Sequence, residues 1–254
     1  MKLTDVLTAT DTNPLYYKFV PIFIRAWKKL FPTLNIHIIL ISDKMIPELE
    51  PYSEFIKLFP PLEDVKTSFI AQNIRLLYPS LIKSDGGVLI TDMDIIPMNR
   101  KYYSDSIESI DSDKFVCYRQ LECVGKNEMV ICYNVAHPEV WREIFSIKTI
   151  DDIKYVLKEL LNNNIKYVGH NNMPFWITDQ LYLYEMTQNW NNYGGRLVIL
   201  NDIVTGYRRL DRGRFPNNNI LINAIQQGMY SDYHMYRPYD EYKEINDKIV
   251  ELLN

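Results

Sequence analysis

The sequence predicts an α/β fold with a mainly parallel central sheet and helices on its faces. In the first hundred residues, short apolar runs of strand length alternate with longer amphipathic segments. One of these runs, residues 36–41, is apolar almost throughout, as expected for a strand that is covered on both faces. A Gly86-Gly87 turn then separates a helical segment from another apolar run. Strands that alternate with helices in this way are typical of a parallel sheet.

The first half is predicted to follow the order β-α-β-β-α-β. A strand over residues 3–10 leads into an amphipathic helix over 14–30, which Pro14 favours because proline is well tolerated in the first turn of a helix. The remaining elements are strands over 36–41 and 55–59, a helix over 67–82 and a strand over 88–90.

The second half is less regular, and we expect a smaller antiparallel part there. Its predicted elements are strands over 115–118 and 129–133, helices over 138–145 and 151–161, a helix over 175–190, a strand over 197–200 and a helix over 239–253. In the last helix, apolar residues recur at helical spacing, which indicates an apolar face. No composition shift or long linker marks a domain boundary.

Composition limits the possible functions. The net charge of −4 over 254 residues argues against a general nucleic-acid binder. The start lacks the apolar core of a signal peptide, and no apolar run approaches the ~20 residues that span a bilayer. Cys117, Cys123 and Cys132 lack the spacing of a zinc site, so we expect free, mostly buried thiols. A cytoplasmic location follows as an expectation, which would be the host cytoplasm for a viral protein.

Asp92 and Asp94 are one residue apart and directly follow the apolar strand at 88–90. Ligands of open α/β sheets bind outside the carboxyl ends of strands. Two carboxylates there suit a hard divalent cation, which prefers oxygen ligands and commonly brings substrate phosphates with it. Asp111 and Asp113 have the same spacing in a polar stretch, which we interpret as a solvated loop. The alternative for Asp92 and Asp94 is a pair of ion-paired or merely exposed acids.

Further motifs are spread along the chain. They are TATDTN at residues 8–13, NIRLLYP around Arg75, ICYNVA around Asn134, WITDQLYL around Asp179 and Gln180, and YHMYRPY around His234 and Arg237. With the acid pair they resemble GT-A-fold glycosyltransferases, most closely the retaining enzymes of family 8, which include glycogenin and bacterial lipopolysaccharide galactosyltransferases. The resemblance implies one Rossmann-like domain over residues 1–254. Residues 1–100 would form the nucleotide-binding half and residues 101–254 the acceptor-side half.

The resemblance places the donor nucleoside at the end of the first strand. Thr8, Ala9, Asp11 and Asn13 would contact uracil and ribose. Independently, a carboxylate and an amide at a strand end are suitable partners for a base N–H and for ribose hydroxyls. The alternative for Asp11 is an Asx-type cap of the helix that starts at Pro14.

The resemblance also implies a metal ion against the donor diphosphate. Asp92, Asp94 and His234 would bind Mn²⁺ or Mg²⁺, and Met93 would lie against the donor between the two acids. A neutral imidazole is an acceptable ligand beside carboxylates, although a single histidine is more often a bystander.

Arg75 and Arg237 are the basic side chains that the resemblance directs to the diphosphate. A guanidinium is a natural fork for phosphate oxygens. Arg237 departs from the family pattern, because Arg replaces Lys and the interval from the histidine is shorter. For Arg75, the alternative is a solvated residue of an amphipathic helix.

The transferred sugar is assigned to three residues. The resemblance implies that Asp179 binds a sugar hydroxyl, that Gln180 lies near the anomeric carbon and that Asn134 lines the sugar pocket. Asp179 could instead be a surface residue of its helix. Two alternatives also exist for Phe175 and Trp176. They would form a platform for the acceptor sugar or, as we favour, part of the core.

The resemblance implies metal-dependent transfer of a sugar from a UDP-sugar to a glycan or another hydroxyl acceptor. It also implies retention at the anomeric carbon, with assistance from Gln180. One alternative is a catalytically degenerate nucleotide-sugar-binding module. A sugar nucleotidyltransferase is disfavoured because TATDTN has no glycine. An aspartyl phosphohydrolase is disfavoured because Ile95-Ile96 follow the acid pair. The charged loop from Arg208 to Arg212 has no counterpart, and the motifs name neither the sugar nor the acceptor.

Overall fold

The computed structural model describes residues 1–119, 125–162, 167, 176–213 and 218–253. Within them, seven strands form the main sheet. Across the sheet these are β3 (Ile56–Phe59), β2 (Asn35–Ile41), β1 (Leu3–Asp11), β4 (Gly87–Ile90), β7 (Asn134–Ala136), β6 (Phe115–Cys117) and β8 (Leu197–Ile199).

The sheet is mainly parallel, as predicted. Strand β1 pairs in parallel with β2 and β4, and β2 pairs in parallel with β3. Strand β7 is antiparallel to both of its neighbours, whereas β6 and β8 are parallel. A smaller sheet in the described residues joins β5 (Ile95–Pro97), β10 (Tyr230–His234) and β9 (Arg208–Asp211). Strand β10 is antiparallel to β5 but parallel to β9.

Helices cover the main sheet. They are α1 (Pro14–Tyr17), α2 (Val20–Leu30), α3 (Thr67–Leu77), α4 (Arg100–Glu108), α5 (Pro138–Phe145), α6 (Ile150–Asn162), α7 (Thr178–Trp190), α8 (Asp202–Thr205), α9 (Asn218–Gln226) and α10 (Lys243–Glu251), with 3₁₀ helices at Pro47–Phe55 and Tyr78–Leu81. Strand β2 shows why both faces need cover. Ile38 and Leu40 pack into one apolar cluster, while Ile39 and Ile41 pack into another. Alternate residues of a strand point to opposite faces, so the side chains of β2 are buried on both faces of the sheet.

The predicted helix over 14–30 is interrupted and forms α1 and α2. Pro21 lies in the first turn of α2 and has no N–H to donate to the carbonyl of Tyr17, so one continuous hydrogen-bond ladder cannot form. The helix predicted over 67–82 likewise ends at Leu77 and continues as a short 3₁₀ turn. The last helix begins at Lys243 rather than at residue 239.

The predicted strand over 129–133 is wrong, because the strand in this region is β7. The side-chain amide of Asn134 donates to the carbonyls of Val130 (2.7 Å) and Ile131 (2.8 Å). These bonds fold the preceding segment back on itself, so its backbone does not extend into the sheet. Strands β5, β9 and β10 were not predicted.

The cysteine prediction holds for the described thiols. Cys117 and Cys132 are buried and take part in no disulfide among the described residues, whereas Cys123 lies outside them. None of the described helices combines the length and the apolar character that crossing a bilayer requires.

Candidate functional site

A cleft of about 540 Å³ lies at the carboxyl ends of β1 and β4. Most of the predicted site residues line it. They are Ala9, Asp11, Asn13, Arg75, Asp92, Met93, Asp94, Asp179, Gln180, His234 and Arg237. A second cavity, of about 660 Å³, lies at the amino ends of the strands around Leu3 and Asn35 and contains none of the predicted residues. The fold therefore gathers these side chains from distant parts of the chain into one place.

Thr8 and Asn134 are not brought to the cleft. Both are fully buried. The amide of Asn134 is used by the carbonyls of Val130 and Ile131, and these two residues line the cleft in its place. Asn134 thus shapes the wall from behind, and the position predicted for it at the sugar pocket is wrong.

Asp11 and Asn13 form a tight turn at the end of β1. Asp11 accepts hydrogen bonds from the backbone N–H of Asn13 (3.0 Å) and from the hydroxyl of Thr67 (2.8 Å). Asn13, rather than Asp11, caps α1 by accepting from the N–H of Leu15 (3.0 Å). Both side chains therefore have structural partners and also line the cleft.

Arg75 lies between two carboxylates at the bottom of the cleft. Its guanidinium pairs with Asp92 and contacts Oδ2 of Asp179 at 3.1 Å. Nη1 also approaches the carbonyl of Thr91 at 3.4 Å. Burial raises the pKa of Asp179 to about 7, with Arg75 opposing the rise and the charge of Asp92 adding to it. Arg75 therefore pairs with two acids in this structure, and its predicted contact with a diphosphate stays a prediction.

Asp94 is surrounded by cationic groups. Its Oδ2 lies 3.1 Å from Nη1 of Arg212 and 3.3 Å from Nε2 of His234. Nη1 of Arg237 is 3.7 Å from the same oxygen. Burial alone would raise the pKa of Asp94, but His234 and the two guanidinium groups hold it well below its usual value. On the far side of the imidazole, Nδ1 of His234 lies 3.1 Å from Oδ1 of Asp211.

The predicted metal ligands do not converge as a set of three. Among the described side chains, no three acids, histidines or cysteines stand close enough to share one cation. Asp94 and His234 touch, but Asp92 is paired with Arg75 instead. The donor types are those that Mn²⁺ and Mg²⁺ accept. The ligand atoms of Asp92, Asp94 and His234 are therefore of the right type for a divalent cation, but their positions in this structure do not form one site.

Several residues of the cleft were not predicted from the sequence. Arg209 donates to Asp232 (2.5 Å) and contacts Sγ of Cys132 at 2.9 Å, and it lines the cleft beside Arg212. The hydroxyl of Tyr16 accepts from Nη1 of Arg237 at 2.7 Å. The density of arginines in TGYRRLDRG was the available signal, but nothing local indicated which of them would face the acids.

Trp176 both lines the cleft and packs against the core. Its ring stacks on that of Tyr167, with centroids 6.4 Å apart and planes 12° from parallel. Phe175, its predicted companion, lies outside the described residues. The favoured assignment of Trp176 to the core thus agrees with its packing, and the alternative, a platform for the acceptor sugar, stays a prediction.

Solved structures share this fold. No protein-family model matches the chain, and no curated protein matches it in sequence. The galactosyltransferase LgtC, in complex with donor and acceptor sugar analogues, matches 99% of this chain and 96% of its own, with a TM-score of 0.53 at 12% identity. An active-site mutant of LgtC matches 98% and 95%, with a TM-score of 0.52 at 11% identity.

A glycosyltransferase involved in the glycosylation of the major capsid of PBCV-1 matches 96% of this chain and 98% of its own, with a TM-score of 0.49 at 12% identity. The expected fold is confirmed by the LgtC matches, because the chain has the α/β architecture of a GT-A glycosyltransferase. At this level of identity the likeness concerns the fold, and the chemistry has to be argued from the cleft.

Proposed function

We propose that the protein is a glycosyltransferase that moves a sugar from a UDP-sugar to a hydroxyl of a glycan or another acceptor, with retention at the anomeric carbon. One observation carries the proposal. The cleft at the carboxyl edge of a GT-A sheet gathers polar side chains from β1, β4, α3, α7 and β10. Ligands of open α/β sheets bind at this edge.

The side chains suggest how the donor lies. Asp11 and Asn13 at the end of β1 offer acceptors to a base and a ribose. Arg237 and His234 near the end of β10 offer positive charge and donors to the diphosphate. Asp179 and the neighbouring Gln180 then face the sugar. Under this proposal, residues 1–100 hold the nucleotide and the acceptor enters from the side of residues 101–254.

A divalent cation is part of the same proposal. Asp92, Asp94 and His234 would hold Mn²⁺ or Mg²⁺, which requires the carboxylate of Asp92 to leave Arg75. When bound, such an ion neutralises charge on the departing diphosphate.

The transfer itself exchanges one bond for another. The acceptor oxygen bonds to the anomeric carbon as the bond from that carbon to the diphosphate breaks, and the acceptor proton leaves with the diphosphate. Retention without an enzyme-bound sugar requires attack from the face that the diphosphate leaves. Gln180, whose side chain lines the cleft, is the residue we assign to assist there.

The test is donor hydrolysis and transfer with a panel of UDP-sugars and Mn²⁺. We expect one UDP-sugar to turn over, and the anomeric proton in the product NMR spectrum to show retention. Replacing Asp92 and Asp94 together by Asn should lower turnover by at least roughly a hundredfold, because the charges facing the diphosphate and cation are removed.

The matched control replaces Asp111 and Asp113 by Asn, since this pair has the same spacing and both residues are exposed. It should retain wild-type turnover. Full activity of the Asp92/Asp94 variant would contradict the assignment of these acids.

A second function is favoured by one specific observation. Asp92 is paired with Arg75, and Asp94 with Arg212, so neither acid depends on a cation for a partner. A protein that only binds nucleotide sugars would not need a cation at these two acids. UDP binding without turnover of any donor in the panel would support the module over the transferase.

A further inference from the structure

We propose that Arg212 binds the diphosphate of the nucleotide and that, with Arg237, it does so without a divalent cation. This inference rests on the proposed function for the identity of the ligand as a nucleoside diphosphate. It concerns a residue in the charged loop for which the sequence indicated no role.

The two ends of the cleft differ in their balance of charge. At one end, the single guanidinium of Arg75 faces the carboxylates of Asp92 and Asp179. At the other end, two guanidinium groups and an imidazole share one oxygen of Asp94. Anions are therefore favoured at the Asp94 end and disfavoured at the Asp92 end.

Asp211 is a further acid near the cationic end in the described part of the chain, and it does not cancel this difference. Its carboxylate faces His234, and its side chain is 40% exposed, so solvent screens its charge. Asp94, in contrast, has a side chain that is only 8% exposed. The carboxylate that meets Arg212 and Arg237 directly is thus a single buried group.

Two hydrogen bonds anchor the guanidinium of Arg212. Nη1 donates to Oδ2 of Asp94 at 3.1 Å and to the carbonyl of Met235 at 3.0 Å. Both contacts use the same nitrogen, and a guanidinium has five N–H donors in a rigid plane. A group held in this way keeps its orientation while further donors serve phosphate oxygens, which it can bind in a bidentate manner.

Arg212 lies beside Arg237, and both guanidinium groups approach Oδ2 of Asp94. Arg212 directly follows β9, whose last residue is the register partner of His234 on β10. Arg237 follows β10 and is steadied by the hydroxyl of Tyr16. Two arginines thus reach the same oxygen from adjacent segments, which suits a ligand with two linked phosphates. Under this proposal Arg212 binds the diphosphate, which is the role that the resemblance implied for Arg75.

The experiment measures binding by calorimetry with the full chain in EDTA, using UDP, inorganic pyrophosphate and uridine as separate ligands. Wild type should bind UDP and pyrophosphate without metal. In Arg212→Gln, the affinity for both should fall roughly ten- to hundredfold, as expected for a lost charge-assisted contact. The affinity for uridine should not change, because uridine has no phosphate.

Arg208→Gln is the matched control. Arg208 is the first residue of β9, the strand that Arg212 follows, and it is exposed and stacks over Tyr230 outside the cleft. It should bind all three ligands like wild type. Arg212→Lys keeps the charge but not the fork, so its UDP affinity should fall roughly fivefold. Thermal unfolding checks that each variant is folded. If Arg212→Gln does not fold, the UDP affinity of Arg212→Lys tests the proposal instead.

Two outcomes would overturn the inference. One is a UDP affinity in EDTA that is the same in the folded Arg212 variants as in wild type. The other is wild-type protein that binds UDP only with Mn²⁺. Failure of the proposed function gives a different result, since a chain without donor turnover would still lose pyrophosphate affinity in Arg212→Gln.

Discussion

Asp92 and Asp94 are two residues apart in the chain, yet they occupy different electrostatic surroundings. Asp92 shares Arg75 with another acid. Asp94 is contacted by Arg212, Arg237 and His234, and the last of these also contacts Asp211. One acid of the pair thus belongs to an acid-rich region and the other to a base-rich one. The two carboxylates are therefore expected to respond differently to metal and to substitution.

Asp211 is predicted to position His234 rather than to bind a ligand. A carboxylate on the far nitrogen of a histidine fixes the tautomer and the ring orientation, and losing such a partner typically weakens metal binding ten- to a hundredfold. In Asp211→Ala we expect UDP affinity in Mn²⁺ to fall roughly tenfold, measured by calorimetry. UDP affinity in EDTA should not fall. Asp113→Ala serves as an exposed control, and an unchanged response to Mn²⁺ in Asp211→Ala would refute the positioning role.

Asp179 is predicted to make stability depend on pH. Its folded-state pKa is about 7, above the ordinary value of 3.8. Well below pH 3.8 the carboxyl is protonated in both folded and unfolded chains. As pH rises toward about 7, the unfolded chain loses the proton more readily, so the contribution of this group to the free energy of unfolding falls.

Asp179→Asn lacks this titration. Between about pH 5 and about pH 8, its free energy of unfolding should therefore rise relative to wild type by on the order of 2 kcal/mol. Urea denaturation at the two pH values measures the difference. If the gap between variant and wild type stays constant over this range, the raised pKa of Asp179 is wrong.

At the scale of elements, the contact between β1 and β4 positions the acid pair. The turn before β4 passes so close to β1 that it admits no side chain. A Cβ at Gly86 would lie 2.5 Å from the side chain of Thr4 and 2.7 Å from the carbonyl of Lys2. A backbone carbonyl cannot move aside as the end of a side chain can, so β4 and the acids after it would have to shift.

Gly86→Ala is therefore predicted to lower the free energy of unfolding by about 1–3 kcal/mol, the usual range for overpacking. Urea denaturation measures this loss. Gly213→Ala is the matched control, because no atom of the described residues lies within 4 Å of a Cβ at that position. Equal stability of the two variants would show that the turn before β4 can relax.

The same scale explains which elements the sequence predicted. The long apolar run of β2 and the helical stripe of α3 carry strong periodic signals, and both elements were predicted within a few residues. Strand β5 has three residues, and the sequence of β10 is YSDYH, which has no clear alternation. These strands form because neighbouring segments supply hydrogen-bond partners, and such partners are not visible in a local pattern.

At the scale of the whole molecule, the α/β order of the first half predicted the parallel sheet and hence the edge at which a cleft would form. Most of the predicted site residues line that cleft. Asn134 is the clearest departure, since the resemblance of ICYNVA implied that it lines the sugar pocket. Its fully buried amide instead bonds the adjacent loop.

The sequence by itself determined the parallel sheet and the kinds of side chain at the ends of its strands, because strand periodicity and the residues that follow a strand are local properties. Only the tertiary structure decided which acid meets which base. Arg75 and Asp179 are 104 residues apart, and Arg212 and Asp94 are 118 apart. The strength of an ion pair depends on distance and burial. Both are set by how remote segments pack, so no local pattern contains them.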